Sequence, residues 1–532
     1  MGLCESETCS IYSSNHVKMV TSRTVNSLKN TGISLSVQIV CILLSFIGRT
    51  VFIKQLNIEY LGVNGLFSNI LTLLSLAELG IGTAITYMMY KPIADNDTEK
   101  IAALNNLYRQ VYNCIGLFIV LVGLSLTPFI TCFIKEVPNI EENIHIIYVL
   151  YVLNTSMSYF FTYKRSLLIA YQKEYVNNKN VLQFTLLKEV SLVFILFTVR
   201  SYYMYLVAQV IVTFLSNIAI SYKTNRLFPE VVNLKPAKVP RNEIKVIMKN
   251  TMAMVCHRIG SVMVSGTGNM FISYYVGIAM VGIYSNYVLI STSACMIVAK
   301  AVNSITASFG NLVATADDDK VYSVFRKIYF MNFTLAYVIA IFFFALVNPF
   351  IAVWIGSEYY LDKISVLLIA VNSIFFNQLR IPSQMAINTY GLFWQIKWKS
   401  IIEALINLAM SFLFTAYLGL GIKGILLSML LSNIATNLWW EPYVVFKYGF
   451  KMPLVIYMKE FAKSTLMIVC TIMIISFATS LIDSVCPDVF INFILRLLMT
   501  IIVSCSLLYL CYSGSEEFSY TFSLLRKLSI TK

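Results

Sequence analysis

The chain has 532 residues, of which 58% are hydrophobic and 12% are charged, whereas soluble domains contain about 45–50% apolar and about 25% charged residues. This composition excludes an ordinary soluble domain, a disordered chain and a fibrous repeat. The net charge is +14, which in a soluble protein would suggest nucleic-acid binding. Cytoplasmic loops of membrane proteins also collect Lys and Arg, so we attribute the charge to loops and predict no nucleic-acid partner.

Long apolar stretches follow one another along the chain and are joined by short polar connections. One membrane-spanning helix needs about 20 apolar residues, and this criterion predicts about fourteen spans. Their approximate bounds are 32–54, 61–90, 110–134, 144–163, 180–199, 202–222, 250–276, 280–312, 328–355, 364–390, 400–418, 422–446, 456–482 and 489–512. The sequence therefore predicts an all-α polytopic membrane protein.

Lys and Arg are distributed unequally between alternate loops. If both termini lie in the cytoplasm, about 29 of these residues fall in cytoplasmic segments and about five on the opposite side. Such an excess is typical of cytoplasmic loops. We therefore predict an even number of spans, with both termini cytoplasmic.

The sequence is weakly similar to itself at an offset of 220 residues. At this offset Ile58 falls on Ile278 and Gly62 on Gly282, among roughly ten identities in about 44 positions. Internal repeats of this kind are common in transporters, whose two lobes bind substrate between them and alternate access by rocking. We predict two pseudo-symmetric six-helix lobes and two added helices. The predicted domains are a cytoplasmic tail (1–31), an N-lobe (32–235), a C-lobe (236–448), and helices 13 and 14 with a cytoplasmic tail (449–532).

Ionisable residues are few within the predicted spans, and each costs about 2.5–3.5 kcal/mol at a helix centre. Six of them are expected in one layer of the cytoplasmic half. They are Arg258, Lys300 and Arg380 in the second lobe and Glu78, Lys188 and Glu189 in the first. Three cations on one wall exceed the acids available, so we expect an anionic substrate. The planar fork of arginine suits phosphate. Alternatively, these charges pair across helices and only hold the lobes together.

The remaining candidates have less specific roles. Arg49 is expected nearer the opposite face, and we group it with Lys188 among the substrate-binding cations. Adjacent helical residues do not face each other, so at most one of Lys188 and Glu189 would point into a cavity. Glu78, Glu189 and His257 are candidates for ion coupling, or alternatively for salt bridges and a structural hydrogen bond.

Motifs for catalysis are absent from the sequence. It contains no P-loop, HExxH motif or nucleophile elbow, and no Cys/His spacing typical of zinc. We therefore predict a transporter rather than an enzyme, with no catalytic residue, cofactor or metal site.

One segment resembles a known family. The run EYLGVNGLFSNILTLLSLAELGIGTAI begins at Glu59, and YKPIADNDTEKI begins at Tyr90. Together with Arg49-Thr50-Val51-Phe52, these segments resemble the first helices and following loop of Wzx-type polysaccharide flippases, also called O-antigen repeat-unit transporters. The length, the helix count and the Pro-containing connection near 223–249 fit this family too.

The resemblance implies the multidrug/oligosaccharidyl-lipid/polysaccharide exporter fold in a bacterial cytoplasmic (inner) membrane. It implies a substrate carried on undecaprenyl diphosphate, a lipid-linked oligosaccharide flipped to the outer leaflet for surface polysaccharide such as O-antigen or capsule. Expected partners are this lipid, membrane lipid, and polysaccharide polymerase and chain-length machinery. Alternatives are a peptidoglycan lipid-precursor flippase, a cation-coupled multidrug antiporter of the same fold, and a membrane-embedded glycosyltransferase or polymerase, which the short external loops disfavour.

Overall fold

The computed structural model describes residues 36–78, 81–136, 138–171, 173–234, 239–240, 244, 260, 262–264, 266–486 and 488–530. These residues form helices, turns and short connections, and no β-strand occurs among them. Twelve helices within these ranges are long and apolar enough to cross a membrane. The protein is thus an all-α, multi-pass membrane protein, as its composition predicts.

The helices are numbered here in chain order. They are α1 (Ser36–Gln55), α2 (Ile58–Leu74), α3 (Ile81–Ala94), α4 (Thr98–Leu126), α5 (Ile144–Tyr159), α6 (Thr162–Ala170), α7 (Glu174–Thr198), α8 (Tyr202–Leu227), α9 (Pro229–Val232), α10 (266–275), α11 (Ile278–Thr315), α12 (Asp318–Trp354), α13 (Lys363–Leu368), α14 (Asn377–Leu379), α15 (Ile381–Tyr390), α16 (Lys399–Phe412), α17 (Gly421–Val444), α18 (Leu454–Val485), α19 (Val489–Tyr512) and α20 (Glu516–Ile530).

Two of the fourteen predicted spans have no counterpart among the twelve. The span predicted at 61–90 is divided between α2, a 3₁₀ turn at Ser75–Glu78 and α3. The regular helix α2 ends at Leu74, and residues 79 and 80 lie outside the described residues. Most of the first half of the span predicted at 250–276 lies outside the described residues.

Contacts between helices divide the chain into two compact units. The described residues of the first unit fall within Met1–Gln55, Gly80–Thr127 and Ile144–Thr251. Those of the second unit fall within Leu56–Leu79, Pro128–Asn143 and Met252–Lys532. Helix α2 therefore packs with the second unit. The division into an N-lobe and a C-lobe stays a prediction.

In the first unit, α5 packs against α4 and α8, and α7 packs along α8. Helices α5 and α6 are separated by Phe161, whose φ of 71° lies in the left-handed region. A bulky residue rarely adopts this conformation, so the surrounding packing must hold it. The turn lets the chain continue as α6, which packs against α3, α4 and α8.

In the second unit, α12 is the central helix and packs against α11, α18 and α19. Its buried aromatic residues Phe325, Phe330, Phe333 and Tyr337 belong to the largest apolar cluster of the unit. Edge-to-face and offset ring contacts of this kind add about 0.5–1.5 kcal/mol each to simple burial. The core of this unit is thus built around one long helix.

Helices α2 and α11 cross with their backbones in close contact. A Cβ atom at Gly62 would collide with the carbonyl oxygen of Ile278, and one at Gly282 would collide with that of Ile58. Small residues permit such close approach between membrane helices. At the 220-residue offset Ile58 corresponds to Ile278 and Gly62 to Gly282. The contact of Gly62 with Ile278 is therefore equivalent to the contact of Gly282 with Ile58. The sequence repeat therefore appears as a reciprocal contact between two helices.

Candidate functional site

Arg380 lies where a membrane-spanning helix of the second unit becomes irregular. A π-helical segment, Ile369–Phe376, precedes α14, and α15 begins directly after Arg380 with Pro382 in its first turn. Proline cannot donate a backbone hydrogen bond, and π-helical turns occur frequently at functional sites. The backbone around Arg380 is therefore unlike that of a plain lipid-facing helix.

The guanidinium of Arg380 is part of a buried cluster of four charges. Its Nη2 donates to Oε1 of Glu441 at 2.7 Å and its Nε donates to Oε2 at 3.0 Å, which is a bidentate pair. Lys399 Nζ donates to the same Oε1 at 2.8 Å and lies 3.6 Å from Oε2 of Glu403. The side chain of Glu441 is fully buried and that of Lys399 is 1% exposed. Two cations and two carboxylates make the cluster formally neutral.

A polar cavity of about 320 Å³ in the second unit includes Glu403 in its wall. Amide side chains dominate its polar lining, which also includes the hydroxyl-bearing residues Tyr284 and Ser373. The five lining asparagines are Asn69, Asn269, Asn372, Asn377 and Asn433. Each amide offers both a hydrogen-bond acceptor and two donors. The cavity can therefore bind a ligand that is itself both donor and acceptor.

Hydrogen bonds connect the ion cluster to the cavity lining. Asn377 Oδ1 accepts from Arg380 Nη1 at 3.3 Å and from Asn433 Nδ2 at 3.2 Å. Asn433 Nδ2 also donates to Asn372 Oδ1 at 2.9 Å. On the other side, Asn437 Nδ2 donates to Glu403 Oε1 at 2.6 Å. A change in the charge of the cluster would thus be transmitted to the amides of the wall.

The cationic wall expected from the sequence is only partly covered by the structure. Arg258 and His257 lie outside the described residues. Lys300 is exposed on α11 and is not among the residues that line the cavity. The charge of Arg380 is balanced by Glu441, a carboxylate that the sequence argument left out of its count. The inferred excess of positive charge therefore does not apply at Arg380.

The first unit brings together Arg49, Lys188 and Glu189. The carboxylate of Glu189 lies against α1 at Gly48, next to Arg49 in sequence. Contrary to the expectation that they point apart, Lys188 and Glu189 form an ion pair of 3.2 Å. Both side chains are long enough to bridge the angle between adjacent helical positions.

Arg49 has aromatic surroundings in the first unit. It lies near Tyr151 and Tyr205, and the Tyr151 and Tyr202 hydroxyls are 2.9 Å apart.

Glu78 ends the 3₁₀ turn after α2 and is half-buried in the second unit. Substrate binding and ion coupling by these residues stay predictions.

Sequence reasoning left Glu441 and Lys399 out of the candidate site. Lys399 and Glu403 lie at the start of α16, beside the beginning of the predicted span 400–418, so their positions indicate a helix end rather than a buried ion cluster. Glu441 directly follows Trp439 and Trp440, and tryptophan is enriched at membrane interfaces, where a charged residue is exposed to water. The available signal was a single acid in the long apolar run 421–450, which requires a partner when it is buried.

No family model and no curated protein matches this chain. Solved structures do match it. The lipid II flippase MurJ in an inward closed conformation covers 90% of this chain and 98% of its own, at 13% identity and a TM-score of 0.63. An inward-facing multidrug resistance MATE family transporter covers 79% and 99%, at 13% identity and a TM-score of 0.61. A MOP superfamily transporter from Pyrococcus furiosus covers 81% and 96%, at 13% identity and a TM-score of 0.52.

These likenesses define the class of fold. The chain has the fold of the transporters of the MOP superfamily. This is the multidrug/oligosaccharidyl-lipid/polysaccharide exporter fold that the sequence resemblance implies. At 13% identity the likeness extends to the fold alone, and the Wzx-type assignment and the substrate are matters of inference.

Proposed function

We propose that this protein is a flippase that moves a lipid-linked oligosaccharide, an undecaprenyl-diphosphate repeat unit, from the cytoplasmic to the outer leaflet by alternating access. Its product would serve surface polysaccharide biosynthesis. The observation that carries the proposal is the asparagine-lined cavity of the second unit. The likeness to the lipid II flippase supports transport of a lipid-linked substrate on this fold.

The cavity supports a sugar substrate on chemical grounds. Each amide has two N–H donors and an acceptor oxygen, more than the bonds that the lining asparagines make to one another and to Arg380, so five amides around one cavity favour a hydrophilic occupant. Sugar hydroxyl groups donate and accept hydrogen bonds, as amides do. A cavity for apolar drugs is expected to be lined mainly by hydrophobic and aromatic side chains.

The second candidate is a peptidoglycan lipid-precursor flippase. It is favoured by the likeness to the lipid II flippase, which covers a larger share of this chain than the MATE transporter does. A cation-coupled multidrug antiporter of the same fold would use an acid in its cavity, and Glu403 is the residue in that position.

We place the protein in a bacterial inner membrane with both termini cytoplasmic, where polysaccharide polymerase and chain-length proteins are expected partners.

The proposal is tested by reconstituting the protein in vesicles with a fluorescent lipid diphosphate oligosaccharide and measuring transfer between leaflets. Asn69→Leu, which removes one lining amide, should slow transfer about 3- to 10-fold, the value of one hydrogen bond. The matched control is Asn64→Leu on the same helix, because Asn64 bonds Ser68 and does not line the cavity. Efflux of a cationic dye without transfer of any lipid-linked sugar would reject the proposal in favour of the antiporter.

A further inference from the structure

The first unit contains a cavity of about 290 Å³ that differs in character from the asparagine-lined one. It is an open groove between the end of α5 and α6, α7 and α8, and two cations and no carboxylate line it. Its polar lining consists of Arg165, Lys188, Ser158, Thr162, Thr185, Thr213, Ser216 and Asn217. This lining is positively charged and rich in hydroxyl groups.

Arg165 is held in this cavity by neutral partners. Its Nη1 donates to Asn177 Oδ1 at 2.7 Å, and its Nη2 donates to Ser216 Oγ at 3.2 Å and to Asn217 Oδ1 at 3.1 Å. Within the part of the chain that the structure describes, these bonds use three of its five N–H donors, and no carboxylate forms an ion pair with it. Unlike Arg380, Arg165 therefore keeps a positive charge that no carboxylate balances, near the end of the candidate membrane span Ile144–Ala170.

Lys188 adds a second cation to the same wall. Asn177, Val181, Thr185 and Lys188 follow one face of α7, and the rise of about 1.5 Å per residue separates the Cα atoms of Asn177 and Lys188 by about 16 Å. Glu189, the ion-pair partner of Lys188, is not among the lining residues. Arg165 thus carries the unbalanced charge at one end of the groove, the ammonium group of Lys188, paired with Glu189 outside the lining, lies towards the other, and hydroxyl groups lie between them.

The geometry points to a binding site for a phosphoryl anion in the first unit. Phosphate oxygens accept charge-assisted hydrogen bonds from guanidinium and ammonium groups, and these are about twice as strong as neutral ones. The hydroxyls of Thr185, Thr213 and Ser216 can donate to the remaining oxygens. The anion would supply the charge that Arg165 lacks. This inference does not depend on the proposed transport activity, because it concerns binding by one unit.

The phosphoryl group can belong to a lipid or to free phosphate, and the experiment separates the two sources. The purified full-length protein is heated in detergent with dioleoyl phosphatidate, with dioleoylglycerol, which has the same acyl chains without phosphate, or with inorganic phosphate. We expect phosphatidate to raise the unfolding midpoint and dioleoylglycerol to leave it unchanged. An equal rise with inorganic phosphate would support the site and identify free phosphate as sufficient.

Arg165→Gln tests whether the binding occurs in this cavity. It keeps a polar side chain but removes the charge, and it should weaken phosphatidate binding at least about tenfold. Arg226→Gln is the matched control, because Arg226 is exposed at the end of α8 and does not line the cavity. If Arg165→Gln does not fold, Lys188→Gln carries the same test. No stabilisation by either phosphoryl compound, or undiminished binding by the folded variants, would overturn the inference.

Discussion

The carboxylate of Glu441 accepts hydrogen bonds from Arg380 and Lys399 while it is completely shielded from solvent. Removing one partner of a buried pair costs about 3–5 kcal/mol, since an uncompensated charge is left behind. Glu441→Gln is therefore expected to lower the free energy of unfolding by about that amount. Thermal or denaturant unfolding of the purified protein measures the loss. Glu516→Gln is the control, because the ion pair of Glu516 with Lys327 is exposed; an equal loss in both variants would contradict the buried role.

We predict that Arg380 contacts the substrate in addition to forming its ion pair with Glu441. Arg380→Ala should abolish surface-polysaccharide export while the protein stays in the membrane. The double variant Arg380→Gln/Glu441→Gln removes both charges of the pair and should recover stability relative to Glu441→Gln. If Arg380 binds substrate, the stable double variant still fails in leaflet transfer. Full transfer by the double variant would show that the pair serves only to hold the helices together.

Residues of the site could be predicted from the sequence only where a charged side chain falls inside a predicted membrane span, because its transfer into lipid is unfavourable. Arg380 was found because an arginine within a predicted span is conspicuous. Glu441 is harder to recognise because it follows two tryptophans, which are typical of a membrane interface, and Arg165 because it lies between the predicted spans 144–163 and 180–199. The exact ends of membrane helices depend on packing, so loop and span cannot be distinguished by hydropathy within a few residues.

Among the elements, the crossing of α2 and α11 is the most sensitive to side-chain volume. Gly282→Ala adds a Cβ against the carbonyl oxygen of Ile58, and a backbone atom cannot move aside as a flexible side chain can. Overpacking of this kind costs about 1–3 kcal/mol. The unfolding midpoint should fall accordingly. Gly310→Ala on the same helix is the control, because its Cβ would meet only the methyl group of Thr389 at an ordinary 3.4 Å; similar effects of the two variants would refute the close contact.

Long apolar elements were predictable to within a few residues. Helix α11 covers 278–315 where 280–312 was predicted, and α19 covers 489–512 as predicted. The predicted span at 61–90 includes α2 and α3, but the 3₁₀ turn at Ser75–Glu78 that follows α2 is not visible in the hydropathy. Irregular turns such as the π-helical segment 369–376 cannot be read from hydropathy either, since their residues are as apolar as those of a regular helix.

For the whole molecule, the distribution of Lys and Arg predicts which side each loop faces. In a variant without its native cysteines, a single cysteine at Glu358 should react with a membrane-impermeant maleimide in intact cells. A single cysteine at Asp317 should react only after permeabilisation. Both positions are exposed and flank α12 at opposite ends. The reverse pattern of labelling would place the termini on the outer side.

The reciprocal contact between α2 and α11 also bears on the origin of the chain. In a symmetric homodimer, residue i of one copy touches residue j of the other, and j touches i in return. Gly62 and Ile278 repeat this relation with Gly282 and Ile58. A single ancestral half would have carried one glycine and one isoleucine that met across a twofold axis between two copies. Duplication and fusion of such a half would turn that intermolecular contact into an internal one, and the two glycines would each retain the space that the other helix requires.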